Sequence, residues 1–289
     1  MITRTKHVFR SPPFLFVLLA FGLSWPIHLY GFGWFGYGPD EILKRLLLSY
    51  LGMLMVAVAA FIVRFFVENK NFKDINWNPG HPWWYFGTLL FCISLWVIPA
   101  LITRLFGHLE WTQTISREAW IVIILSLAGP SVIAGFGEEF GWRGYLLPRL
   151  LTKRSRAREI LVIIGFIWGI WHFPVALGPL LKGLLENPSN WGSMVGATLL
   201  NCVQMVGTCV ALSFVFGALW LRTNSILVLS FFHGYFIGLR DAVGMILVGR
   251  DEISTIIHIV ILLATTLIAY RWLERYEREG EIIGINPKP

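Results

Sequence analysis

Two adjacent carboxylates lie inside an otherwise apolar stretch, Gly137-Glu138-Glu139-Phe140-Gly141-Trp142-Arg143. A charged side chain at a bilayer centre costs about 2.5–3.5 kcal/mol on insertion scales, so such residues face a cavity or pair with one another. Glu139 and Arg143 are four residues apart, on one helix face, with the acid N-terminal, the better order for an ion pair. Glu138 is turned about 100° from Glu139. Its helical neighbours are Ala134, Gly135, Gly141 and Trp142, three of them small, which leaves open space beside it. The spacing therefore assigns Glu138 to chemistry and Glu139–Arg143 to its support. The plainer alternative is a charge cluster at a helix end, with the span cut short near Phe136.

Two further apolar stretches each carry a histidine. In Phe166-Ile167-Trp168-Gly169-Ile170-Trp171-His172-Phe173-Pro174, a helix places Gly165, Gly169, His172 and Ala176 on one face, where small residues allow close helix approach. Pro174 has no N–H to give, so it kinks this helix and frees a carbonyl near His172. In Ser230-Phe231-Phe232-His233-Gly234, His233 shares its face with Ser230, Ile237 and, two turns on, Asp241. A glutamate with two histidines supports two kinds of chemistry. Glu138, His172 and His233 can ligate a divalent metal such as zinc, leaving a position for water. Alternatively Glu138 polarises water directly while a histidine stabilises the oxyanion. No HExxH pattern is present. A lone histidine in an apolar helix is more often a packing residue, and His28, His81, His108 and His258 lack any comparable context.

The elements that must position these residues are membrane helices. The chain has 289 residues, 56% hydrophobic and only 14% charged, against about 25% charged in soluble domains. Its mean hydropathy is +0.65. Continuous Val/Ile/Leu/Phe runs of about 20 residues recur, long enough to cross a hydrocarbon core of roughly 30 Å. They exclude a barrel of alternating strands. The reading is an all-α, polytopic membrane helical bundle of about eight transmembrane helices. The spans lie at roughly 13–33, 43–67, 83–106, 119–147, 159–181, 193–220, 225–248 and 253–273. The organisation expected is N-terminal transmembrane helices over 1–117, a catalytic core over 118–248, and a last helix with a cytoplasmic tail over 249–289. No internal repeat supports an inverted-repeat transporter.

The net charge of +7 does not indicate nucleic acid. The basic residues flank apolar runs in short loops, the positive-inside pattern. Arg4, Lys6, Arg10, Lys70, Lys73, the run from Arg149 to Arg158, Arg222, Arg271, Arg275 and Arg278 fall on one side, and Arg117, Lys182 and Arg250 on the other. Both termini are then cytoplasmic. The run Lys153-Arg154-Ser155-Arg156-Ala157-Arg158 reads as a topology signal and, secondarily, as a contact for anionic headgroups. Met1–Arg10 resembles the basic start of a signal peptide, but no small-residue cleavage site follows, so the first apolar run is expected to be retained. Cys92, Cys202 and Cys209 all fall in apolar spans, with no metal or disulfide spacing. At about 1.5 Å per residue, Glu138 lies about 15 Å, His172 about 20 Å and His233 about 12 Å from the cytoplasmic ends of their helices. Three helices thus carry ionisable groups at similar depth, which favours one shared site.

With these residues in place, the chain resembles the CAAX-protease and bacteriocin-processing family of intramembrane proteases, the type II CAAX prenyl endopeptidase or Abi family. Glu138-Glu139-x-x-x-Arg143 is similar to its EExxxR motif. His172 is similar to the histidine of its FxxxH motif, with Trp168 in place of phenylalanine. Phe216-Gly217-Ala218-Leu219-Trp220 and the turn Arg222-Thr223-Asn224-Ser225 resemble its third motif. His233 matches the start of its final HxxxN/D motif. The resemblance covers roughly residues 118–240.

It implies peptide-bond hydrolysis within the membrane. Glu138 would activate water together with His172, Glu139 and Arg143 would support that site, and His233 would help bind metal or the oxyanion. The motif fits a metallo- or a glutamate-type endopeptidase. One departure stands out: the last motif expects Asn or Asp where this chain has Ile237. An oxyanion donor is worth about 3–4 kcal/mol. Asp241, Asn201 or Gln204 would have to replace it; otherwise the protein is a weakly active or inactive scaffold or immunity protein. An ion-coupled transporter using Glu138 and the histidines as a relay ranks last. The expected protein is a multi-pass protein of a prokaryotic cell membrane, opening towards the cytoplasm. Its expected partners are membrane lipids and a peptide or membrane-anchored protein substrate, not nucleic acid.

Overall fold

The computed structural model describes residues 11–35, 39–71, 75, 77–112, 115–127, 129–151, 156–186, 188–249 and 252–278. Arg4, Lys6, Arg10, Lys73, Lys153, Arg154 and Arg250, used above for orientation, lie outside the described residues. The described chain is helical apart from one short antiparallel pair of strands. Its helices are α1 (Pro12–Trp34), α2 (Pro39–Ile62), α3 (Pro82–Cys92), α4 (Ile98–Leu105), α5 (Arg117–Leu127), α6 (Pro130–Glu139), α7 (Leu147–Leu150), α8 (Ala157–Trp171), α9 (Phe173–Glu186), α10 (Trp191–Thr223), α11 (Ile226–Ile246) and α12 (Glu252–Arg278). Strand β1 (Leu109–Trp111) pairs with β2 (Leu247–Gly249), Glu110 opposite Val248. Among the described residues seven helices are long and apolar enough to cross a membrane, and α5 with the helix after it makes an eighth, bent by 50°. The polytopic bundle of about eight spans is therefore the observed fold.

Local sequence explains most of the boundaries. Proline occupies the first turn of α1 and α3, where its missing N–H costs nothing. His81 caps α3, its Nδ1 accepting the Trp83 N–H. Asn224 ends α10 with φ +46°, and Ser225 caps α11 by accepting the Val228 N–H. The fourth span was expected to be continuous over 119–147. It breaks instead at Gly129, whose φ of +113° an L side chain rarely adopts, next to Pro130, which lacks an N–H. The fifth breaks at His172, between α8 and α9, two residues before Pro174. Three π-helical turns extend or join helices: Val63–Val67, Ile93–Val97 and Phe140–Leu146. The last begins directly after Glu139, and such wide turns recur at functional sites.

Glycines set how closely the central helices approach. A Cβ on Gly165 or Gly169 would stand 2.6 Å from the Cα of Val210 or Val206, so α8 meets α10 backbone to backbone, on the small face read from the sequence. A Cβ on Gly234 would lie 2.5 Å from Val132 Cα, and one on Gly135 2.8 Å from the Gly234 nitrogen. This seam holds the two helices that carry Glu138, Glu139 and His233. Gly234→Ala is expected to lower stability in detergent by about 1–3 kcal/mol through overpacking. Gly196→Ala, which would meet nothing within 4 Å, is the control. Equal melting temperatures for the two variants would remove the seam from this account. Leu199, Leu200, Val203, Ile256, Leu263 and Ile268 are exposed apolar residues of α10 and α12, as faces turned to lipid should be.

Candidate active site

Glu138 is 1% exposed at the end of α6. Its Oε2 accepts two indole N–H groups, from Trp168 at 2.5 Å and from Trp142 at 3.3 Å. The open space expected beside it does not lie at the small residues of its own helix. Gly135 and Gly141 are small because other helices fill their sides: Gly234 and Ser230 of α11 press on Gly135, and Val56 and Phe16 on Gly141. Trp142 lies one turn from Glu138, a spacing visible in the sequence; Trp168 comes from α8 and had no such signal.

His172 sits at the break between α8 and α9. Its Nδ1 lies 2.8 Å from the Trp168 carbonyl, so Nδ1–H is the donor, with the Cys209 sulfur at 3.6 Å. In the neutral ring Nε2 is then the lone-pair nitrogen. Trp171, the last residue of α8, directly precedes the break; its carbonyl accepts the Trp25 indole N–H at 3.1 Å, tying this corner to α1.

Glu139, fully buried, faces the other way. Its Oε1 accepts from Arg143 Nη1 at 2.8 Å and lies 2.7 Å from His233 Nδ1. Arg143 is itself fully buried, its guanidinium carbon 4.5 Å from the Trp168 ring centre and 4.8 Å from that of Phe216. Such stacking suits a planar, weakly hydrated cation. The ion pair read from the four-residue spacing is present, with His233 as an additional partner that spacing could not show. Trp168 is common to the whole group: it binds Glu138, stacks on Arg143, and stands edge-on to His172 and His233, each 5.7 Å away between ring centres.

Glu138, His172 and His233 line one cavity of about 570 Å³, within the range of small-molecule sites. Asn201, Gln204 and Asp241 line it too, as does Ile237, so the polar groups weighed as substitutes for a motif asparagine share its walls. Sequence reasoning missed several members. His28 from α1 lines the cavity, buried against Trp171 and near the Ser49 carbonyl, where Gly52 leaves room for its ring. Arg45 and Arg240 line it as well. Only tertiary packing brings His28 and Arg45 to this place.

The cavity opens at one end of the bundle. Its lining from α2 runs from Ile42 to Met53, the first half of that helix, and from α11 it runs from His233 to Met245, the second half. From α1 it includes only His28 and Phe32, near the C-terminal end. The other end of the bundle is filled by Phe16, Leu147, Leu161, Phe216 and Ile226, none more than 1% exposed. Beyond this plug, Glu68 accepts from Tyr145 and pairs with Arg149. The cavity thus extends away from the Arg149–Arg158 loop, not towards it. Depth along single helices does not reveal which end large apolar side chains close.

The same geometry bears on a metal. Among the described residues no group of three or more His, Cys, Asp or Glu side chains is placed to hold an ion. The histidine Nδ1 contacts to the Trp168 carbonyl and to Glu139 are of the kind that orient a ligating ring, so the misfit lies in how far apart the side chains stand and not in their hydrogen bonds. As placed, Glu138, His172 and His233 do not fit the three-ligand set expected above, and no step below is routed through a metal.

Residues 116–237 match the family described as type II CAAX prenyl endopeptidase Rce1-like. No curated protein and no solved structure matches the chain. The matched segment contains Glu138, Glu139, Arg143, His172 and His233, and ends at Ile237. Over residues 116–237, somewhat under half of its length, this multi-pass helical chain with its buried Glu/His cavity is similar to the Rce1-like type II CAAX prenyl endopeptidases.

Proposed function

We propose that the protein is an intramembrane endopeptidase in which Glu138 is the general base. The observation that supports this most is that Glu138, His172 and His233, from three helices, line one cavity. Both indole N–H groups fall on Glu138 Oε2 and orient the carboxylate. A water between Glu138 and the lone pair of His172 Nε2 gives its proton to Glu138, and the oxygen attacks the scissile carbonyl. The carboxylate of Glu139 holds the His233 ring by Nδ1 at 2.7 Å, and in its protonated form that ring donates from Nε2–H to the oxyanion. On collapse the C–N bond breaks, and the proton held by Glu138 passes to the leaving amine.

Ile237 motivates a second reading, a weakly active or inactive membrane scaffold or immunity protein. It lines the cavity one turn after His233, where it offers no hydrogen bond. A missing oxyanion donor costs about 10²–10³ in kcat. Ile237→Asn is therefore expected to raise kcat for a model peptide by up to about 10²-fold if the wild type lacks a donor. Ile237→Ala, which makes room without a donor, should not. An active wild type unchanged by Ile237→Asn would assign the donor to Asn201, Gln204 or Asp241. No cleavage by either protein would favour the scaffold. Zinc measured on the same detergent samples tests the metallo-type alternative. About one equivalent, with cleavage lost on chelation, would replace the direct glutamate mechanism.

A further inference from the structure

The cavity's direction and the distribution of charge at the bundle's two ends bear on where its substrate comes from. The closed end carries Lys70, Arg149, Arg156, Arg158 and Arg222, with the arginines of the α12 terminus. At the open end the described basic residues are Lys44, Arg45, Arg104, Arg117, Lys182 and Arg240, fewer than at the closed end. Basic residues flanking spans mark the cytoplasmic side, while acids count little. The closed end is therefore the cytoplasmic one, and the cavity opens on the opposite face. We propose that the site takes its substrate from the non-cytoplasmic face. The substrate class is then a peptide, or the juxtamembrane segment of a membrane-anchored protein, exposed outside the cytoplasm. A cytoplasmic tail would have to pass the plug formed by Phe16, Leu147, Leu161, Phe216 and Ile226, where no side chain exceeds 1% exposure.

This inference rests on the cavity being the substrate site, but its test does not need hydrolysis. Arg240 lines the cavity on the open side and its side chain is 51% exposed. Arg222, at the end of α10, is exposed at the closed end. Arg240→Cys and Arg222→Cys are treated in intact cells with a membrane-impermeant maleimide that retards the chain on a gel. The parent, whose Cys92, Cys202 and Cys209 are buried, sets the baseline. Arg240→Cys is expected to shift in intact cells, and Arg222→Cys only after permeabilisation. The reverse pattern, or protection of Arg240→Cys until the membrane is opened, overturns the proposal. Met245→Cys, at the same end of the cavity, serves if Arg240→Cys does not accumulate. Labelling from outside without cleavage of any peptide would leave the access side standing and count against the protease reading alone.

Discussion

Glu138→Gln is expected to lower kcat for peptide hydrolysis by about 10²–10⁴-fold, the usual contribution of a positioned general base. The substitution preserves shape. The amide oxygen of glutamine still accepts from Trp142 and Trp168, which hold the carboxylate at 3.3 and 2.5 Å. The cavity and the neighbouring Glu139–Arg143–His233 group should therefore persist, and the variant should be extracted and melt like the wild type. What it loses is the ability to take a proton from water. His172→Ala should act on the same step, because the ring lines the same cavity and its Nδ1 anchor to the Trp168 carbonyl at 2.8 Å fixes Nε2 as the acceptor. If the two act as a unit, the double variant will be little worse than either alone. The measurement is single-turnover cleavage of a fluorogenic peptide by purified protein. Cleavage by Glu138→Gln within tenfold of the wild type would remove Glu138 from the chemistry.

Several of these residues could be read before any coordinates. Continuous apolar runs specify spans because a bilayer leaves helices as the way to satisfy the backbone. The Glu139–Arg143 pair follows from spacing alone, and similar depth along three helices correctly placed Glu138, His172 and His233 together. The break at Gly129 was written in the Gly129-Pro130 dipeptide, yet apolar content on both sides concealed it. There is room beside Glu138, but not where the glycines suggested it: a helical glycine marks either a void or a neighbouring backbone, and one sequence does not distinguish them. Gly135 and Gly141 proved to be the second kind. The role of Trp168 depends on α8 facing α6 and α11 at once, a tertiary fact. The same holds for His28 and Arg45, which come from helices outside the matched segment, and for the end at which the cavity opens.

Arg143→Met should be the most destabilising single substitution in the site. Arg143 and Glu139 are both fully buried and paired at 2.8 Å. Removing one partner of a buried pair typically costs about 3–5 kcal/mol, and here the Glu139 carboxylate would lose its guanidinium and keep only the His233 ring beside it. Methionine fills much of the volume against Trp168 and Phe216, so the cost should come from Glu139 rather than from a cavity. That makes a distinct prediction for the double variant. Glu139→Gln with Arg143→Met removes the stranded charge and should recover most of the lost stability, although neither residue is native. Thermal and denaturant unfolding in detergent measure both. A single variant within about 0.5 kcal/mol of the wild type, the range of ordinary surface changes, would mean the pair contributes nothing to the fold. Stability and activity should then separate. The double variant leaves His233 with a neutral amide at Nδ1 in place of the carboxylate that holds its ring at 2.7 Å. A folded double variant with impaired hydrolysis would show that Glu139 acts on the reaction through His233; a folded and fully active one would confine the Glu139–Arg143 pair to holding α6 in place.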